Sequence, residues 1–214
     1  MDIMSMIQDT QDNTHSELPI VSLFRRGSMV SVMDFFIDES DPTEWYRKTD
    51  VINATGVNRE STSQALGTTK NVGPLVLFGI VEINSTKVSH PRYQVTNTNV
   101  VATISDYQSM DTTPPVQQFF NTSARRQLTQ FFLLQADPET TYTEYGLQKQ
   151  TPVSYRGVSN NMDRFVEGGL VSVTTDNNDT KQYSYNPDTD FHQFCLYLNN
   201  KLYETYQDRQ QQYE

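Results

Sequence analysis

The strongest constraint on this chain lies close to its C-terminal end, where Phe191, Phe194, Cys195, Leu198, Leu202 and Tyr206 recur every three or four residues. That spacing places all six on one face of an α-helix. Asn186-Pro187-Asp188 stands just before them. It supplies a capping side chain, a proline at the first helical position and an acid near the positive end of the helix dipole. The sequence therefore predicts a helix over 187–214, about 27 residues and roughly 40 Å long. After Tyr206 the apolar stripe gives way to glutamines. The helix is thus expected to pack on the rest of the chain and extend beyond it, its end either fraying or lying on another chain.

Upstream, the signals read mainly as strands. Residues 74–83 are almost continuously apolar, as in a strand buried on both faces, and after a turn at His90-Pro91 the stretch 93–105 reads as its partner. Two apolar runs, Ile20 to Phe24 and Met29 to Ile37, flank Arg25-Arg26-Gly27-Ser28 and read as a hairpin with Gly27 in its turn. A second hairpin is expected from 165–173 through the Thr-Thr-Asp-Asn-Asn-Asp-Thr turn to Tyr183-Ser-Tyr185. Between 114 and 136 the apolar positions Val116, Phe119, Phe120, Ala124, Leu128, Phe131 and Phe132 return to helical spacing behind Pro114-Pro115, although Gln127 to Leu134 can also be read as an alternating strand. The stretch 45–69 reads as a long loop, and 142–156 as irregular or edge strand. The expectation is an α+β fold, mostly antiparallel β with two or more hairpins, a mid-chain helix and a long C-terminal helix. It is organised as a polar N-terminal arm over 1–18, a mainly β domain over 19–186 and the terminal helix.

Composition bears on chemistry. Of 214 residues, 36% are hydrophobic and 20% charged, and the formal net charge is -10. Asn, Gln, Ser and Thr fill about a third of the chain, a surface that makes hydrogen bonds without strong charge. No overall field draws such a protein to nucleic acid or anionic lipid, and no apolar run is long enough to span a bilayer. The N-terminal residues lack the basic and apolar regions of a secretory signal, the single Cys195 permits no internal disulfide, and residence in a reducing cytoplasm is the expectation. Arg25-Arg26 and Arg125-Arg126 are two close basic pairs, each isolated among neutral residues.

Of the three histidines, His15, His90 and His192, only His192 has a nucleophile at helical spacing, Cys195. Cys195 sits inside the apolar stripe, where an inert buried thiol is the usual outcome. One cysteine and three dispersed histidines show no zinc spacing. The acidic clusters Asp38, Glu39, Asp41, Glu44 and Asp176 to Asp179 read as loops and turns rather than calcium or carboxylate-pair sites. Phosphate-loop, dinucleotide and nucleophile-elbow patterns are absent, and no cofactor or metal is expected. The tyrosines gather in the last part of the chain, where ring area with a polar tip suits a contact surface. Candidate interface residues are Trp45, Tyr46, Tyr197, Tyr203, Tyr206, Tyr213, Arg25 and Arg26.

Few charges, abundant Asn, Gln, Thr and Tyr, long loops, a terminal arm and no catalytic motif together resemble the structural proteins of virus particles, above all those forming the neck and tail rings of tailed bacteriophages. The resemblance is one of organisation and carries no motif residue. It implies a homo-oligomeric virion subunit, made in the host cytoplasm. Its partners would be copies of itself and other virion proteins, with only passive contact to DNA in a channel that its acidity keeps from sticking. A soluble module that binds a glycan or peptide through exposed tyrosines is the second reading, and a hydrolase using His192, Cys195 or the acidic loop is the third.

Overall fold

A computed structural model describes residues 18–68, 71–84, 90–110 and 116–213. The expected arm over 1–18 lies outside them apart from Leu18, as does His15. The fold is α+β with two three-stranded antiparallel sheets and a long C-terminal helix, and among the described residues helix takes 59% against 14% strand. In chain order the helices are α1 (Pro19–Phe24), α2 (Gly27–Asp34), α3 (Lys48–Thr55), α4 (Arg59–Leu66), α5 (Pro74–Leu77), α6 (Asn99–Gln108), α7 (Gln117–Phe120), α8 (Ser123–Leu134), α9 (Glu144–Gln150), α10 (Tyr155–Glu167) and α11 (Asp190–Tyr213). The strands are β1 (Tyr46–Arg47), β2 (Val81–Asn84), β3 (Arg92–Val95), β4 (Thr141–Thr143), β5 (Val171–Thr175) and β6 (Lys181–Tyr185). The sheets run β1-β3-β2 and β4-β6-β5, and one continuous apolar core joins them.

The domain expected to be mainly β is thus mainly helical, and the differences have local causes. The first expected hairpin is the helix pair α1 and α2. Pro19 opens α1 in the position where its missing N–H costs nothing, and Gly27 begins α2 instead of forming a turn. Met29, Val30, Val32, Met33 and Phe36 are all buried, a helical period that β-branched content had disguised. A π-helical turn, Phe35–Glu39, follows directly. The expected loop at 45–69 contains α3 and α4. Asn58 caps α4 by accepting from the Ser61 amide at 2.9 Å, and Gly56 ends α3 in the left-handed region at φ 68°.

The spine pair forms where β2 meets β3, with Val81 opposite Val95 and Ile83 opposite Tyr93. Neither partner is as long as expected. Pro74 starts the short helix α5, and Gly79 at φ 74° turns the chain into β2, so the apolar run is buried but split between two elements. Thr98 caps α6 by accepting from the Val101 amide, and Val100, Ile104 and Tyr107 face the core at helical spacing where a strand was expected. The helix expected over 114–136 is present as α7 and α8, broken at Asn121-Thr122, where Thr122 caps α8. The second expected hairpin forms as β5–β6, but its first strand starts at Val171: residues 165–167 end α10, and Thr174 and Thr175, expected in the turn, pair with Gln182 and Lys181. Its turn carries Asp179 at φ 63° and the Asp176 carboxylate accepts from the Asn178 and Thr180 amides. Of 142–156, expected to be irregular or edge strand, only the start is strand: β4 ends at Thr143, which caps α9 by accepting from the Gly146 amide, and α9 takes most of the rest before α10 begins.

The terminal helix starts later than expected, at Asp190, because Thr189 rather than Asn186 accepts from the third helical amide, His192, at 3.2 Å. Nor does its end extend free of the domain. Tyr206 packs on Phe78, and Tyr213 lies against the core. Arg209 Nη1 donates to the carbonyl oxygens of Val76 at 2.6 Å and Val81 at 2.9 Å. A cation near the end of the stripe thus does what apolar burial does farther back. Arg209→Ala leaves those two carbonyls without their charged donor. It is expected to cost about 1–3 kcal/mol and to speed amide exchange selectively in the last two turns of α11.

A second test comes from Asp34, where α2 meets the π-helical turn. Gln108 Nε2 donates to Asp34 Oδ1 at 3.3 Å. Burial pushes the Asp34 carboxyl up to about 6, against the Gln108 hydrogen bond and with the help of Asp38 and Glu39. The folded value lies above the ordinary one, so the proton on Asp34 favours the fold at low pH and that contribution is lost as the pH rises through about 6. Asp34→Asn is expected to stabilise the protein by about 1 kcal/mol above neutral pH, a value discounted for solvent screening. The difference between the two denaturation curves should vanish below pH about 4.

Candidate interaction surface

The second sheet has one edge built unlike the others. The hydrogen bonds Asn186 N to Leu170 O, 2.9 Å, and Asp176 N to Thr180 O, 3.1 Å, fix the alternation along β5. Ser172 and Thr174 bond inward to β6, and Val171, Val173 and Thr175 aim their N–H and C=O groups away from it. Ser172, Val173, Thr174 and Thr175 are all exposed, and Val173 keeps 40% of its surface in solvent. No residue from 171 to 175 is charged or is proline. The other edges are blunted: β1 has two residues, β4 has three, and β2 carries exposed Glu82 and has its Val81 carbonyl taken by Arg209. An unblunted edge of β-branched residues is a template for another strand.

The residues singled out from the sequence scatter over the molecule. Tyr197 and Tyr203 are exposed at 48% and 47% on the outer side of α11, with Lys201 Nζ 5.8 Å from the Tyr197 ring. Tyr206 and Tyr213 face inward on the same helix. Trp45 is half-buried, and Tyr46 packs edge-on against Phe35 and Phe36 while its hydroxyl accepts from the Asp41 amide at 2.8 Å. Tyr46 is therefore a packing residue of the first sheet.

The two arginine pairs, distant in sequence, meet. Arg126 Nη1 donates to Arg25 O at 3.3 Å and to Phe120 O at 3.1 Å, and Arg125 reaches Gln118 O at 3.0 Å and Asn161 Oδ1 at 2.7 Å. These guanidiniums satisfy carbonyls around the end of α7. Arg26 and Arg25 remain on the surface, Arg26 hydrogen-bonded to Gln64.

Sequence reasoning missed Val173, Tyr145 and Tyr155. Val173 was legible in principle, since Val-Ser-Val-Thr-Thr alternates without a gatekeeping charge. The two tyrosines stood in a segment with no strand or helix period strong enough to orient them.

The chemistry weighed for His192 and Cys195 takes another form. The His192 ring hydrogen-bonds the Tyr185 hydroxyl through Nδ1, and both are buried. Burial lowers the His192 pKa and raises the Cys195 thiol well above its ordinary value, which leaves a neutral imidazole beside a protonated, fully enclosed thiol. Asp41 closes its own turn onto Thr43. Among the described residues no group of His, Cys, Asp and Glu is arranged to hold a metal ion, and no helix is long and apolar enough to cross a membrane. A thiol reagent at neutral pH should leave Cys195 unmodified in the folded protein and label it fully in denaturant, as mass spectrometry would read. Rapid labelling of the folded chain would mean that the packing around Cys195 opens readily.

No protein-family model matches this chain, and no curated protein or solved structure matches it.

Proposed function

We propose that this chain is a structural subunit that acts by contact with copies of itself, of the kind that builds rings in virus particles. The observation that supports this reading is the open edge of β5. Antiparallel pairing of two copies about Val173 sets Val173 against Val173 and Val171 against Thr175, with the outward backbone groups of each strand facing those of the other. The two sheets then join into one of six strands. Charge favours this surface over others, because two chains of net charge -10 repel wherever their acidic faces meet, whereas the strands that would touch here are neutral. Such a pair is two-fold and closed. A ring needs a further, head-to-tail contact, for which the exposed Tyr197 and Tyr203 of α11 supply the aromatic area.

Light scattering on the purified protein tests the reading. The wild type is expected as a dimer or a larger even multiple. Val173→Lys should return a monomer with unchanged circular dichroism, because the substituted side chain lies on an exposed edge. Val173→Pro should act in the same direction, since the amide it removes is not used by β6. A wild type that stays monomeric at high concentration, or assemblies indifferent to both variants, would sink the proposal.

A further inference from the structure

A cleft of about 360 Å³ opens between the start of α9, the start of α10 and the β5–β6 turn. Its volume is at the low end of the ~300–1,000 Å³ typical of small-ligand sites. Tyr145 and Tyr155 line it, exposed at 58% and 51%, among the most exposed of the large apolar and aromatic side chains described. Between them Glu144 is the best-held group of the cleft. Its Oε1 accepts from the Tyr183 hydroxyl at 3.2 Å, and the Tyr155 hydroxyl also hydrogen-bonds to it. Those two tyrosines fix the carboxylate while leaving lone pairs for a ligand. The turn adds Asp179, Thr180 and Lys181 across the opening.

The mixture of groups narrows the ligand class. Two aromatic faces offer stacking area, and carboxylates, a hydroxyl and an ammonium offer both acceptors and donors within one small space. A purely cationic ligand would compete with Lys149, whose Nζ already lies 4.8 Å from the Tyr145 ring centroid, and with Lys181, which lies at the opening with its Nζ 3.5 Å from Asp163 Oδ1. An anionic ligand would meet Glu144 and Asp179. A neutral ring bearing hydroxyls on its edge and C–H groups on its face satisfies the whole set. We infer that this cleft binds a neutral saccharide, one sugar ring lying against Tyr145 or Tyr155 with its hydroxyls shared between Glu144 and the Asp179 to Lys181 turn. The inference rests on the cleft alone and is independent of pairing through β5.

The test is an array of immobilised neutral saccharides, hexoses and N-acetylhexosamines from single sugars to tetramers, with lysine-rich peptides beside them, probed with the full-length chain. Retention on one or more saccharides is expected. Tyr145→Ala and Tyr155→Ala should each weaken it about tenfold, the equivalent of roughly 1.4 kcal/mol, while Tyr155→Phe keeps the ring and most of the binding. Met110→Ala, an exposed side chain elsewhere, should change nothing, and Val173→Lys should leave the affinity for the same saccharide free in solution unchanged, which separates this result from any failure of assembly. No retention on any saccharide, retention on the peptides alone, or binding indifferent to both alanine variants would each overturn the inference.

Discussion

The stacking of Phe119 on Phe191, with centroids 4.0 Å apart, is the contact on which the architecture turns. Phe191 opens the inward face of α11, and Phe119 is the last residue but one of the short α7, so this pair fixes where the terminal helix lies relative to the middle of the chain. Other rings extend it. Phe119 meets Phe165 of α10, Phe165 meets Phe132 of α8, Phe132 stacks on Tyr185 of β6, and Tyr107 of α6 stacks on Phe194 at 4.0 Å. Aromatic side chains bury on the order of 150–250 Å² each, and a chain with only 36% hydrophobic residues concentrates its core there. Gly168 is part of the same arrangement, since a β-carbon on it would occupy the space of the Phe119 ring.

Helices with a clean apolar stripe were legible from the residues. The stripe from Phe191 to Tyr206 and the one from Val116 to Phe132 both belong to helices at nearly the expected places. The failures fall where β-branched residues carry a helical period. Val100, Val101 and Ile104 look like strand until Thr98 is recognised as a cap, and the same holds for Val30 and Val32 behind Arg26. Intrinsic preference lost to packing there, as it does whenever buried contacts on one face outweigh a few tenths of a kilocalorie per residue. Asn58, Gly56 and Gly67 marked the ends of α3 and α4 in a segment too polar to show any stripe. The anchoring of the last turns by Arg209 had no sequence signal at all, since its partners are backbone carbonyls more than a hundred residues away.

The candidate surfaces divide along similar lines. The neutrality of β5 can be read directly from Val-Ser-Val-Thr-Thr, but its position at an edge depends on strand order β4-β6-β5, which only the folded chain provides. Of the tyrosines in the last helix, Tyr206 turns inward to Phe78 as its place in the stripe requires and Tyr213 also lies against the core, while Tyr197 and Tyr203 face outward. The cleft at Tyr145 and Tyr155 joins residues from three separate elements, and Glu144 acquires its two hydroxyl partners only when β6 and α10 are in place.

The grip of Arg209 on Val76 and Val81 spans 133 and 128 residues, and the Ile20 amide reaches Asn199 Oδ1 across 179. Contacts of such separation are slow to form, because the intervening chain must be closed before they reward it. Of the elements described, α11 is made last. Until it leaves the ribosome, the apolar faces of α1 and α6 lack the helix that packs on them, and the core stays open however early the two sheets form. Any contact between copies that depends on the finished fold is thereby deferred until α11 has docked.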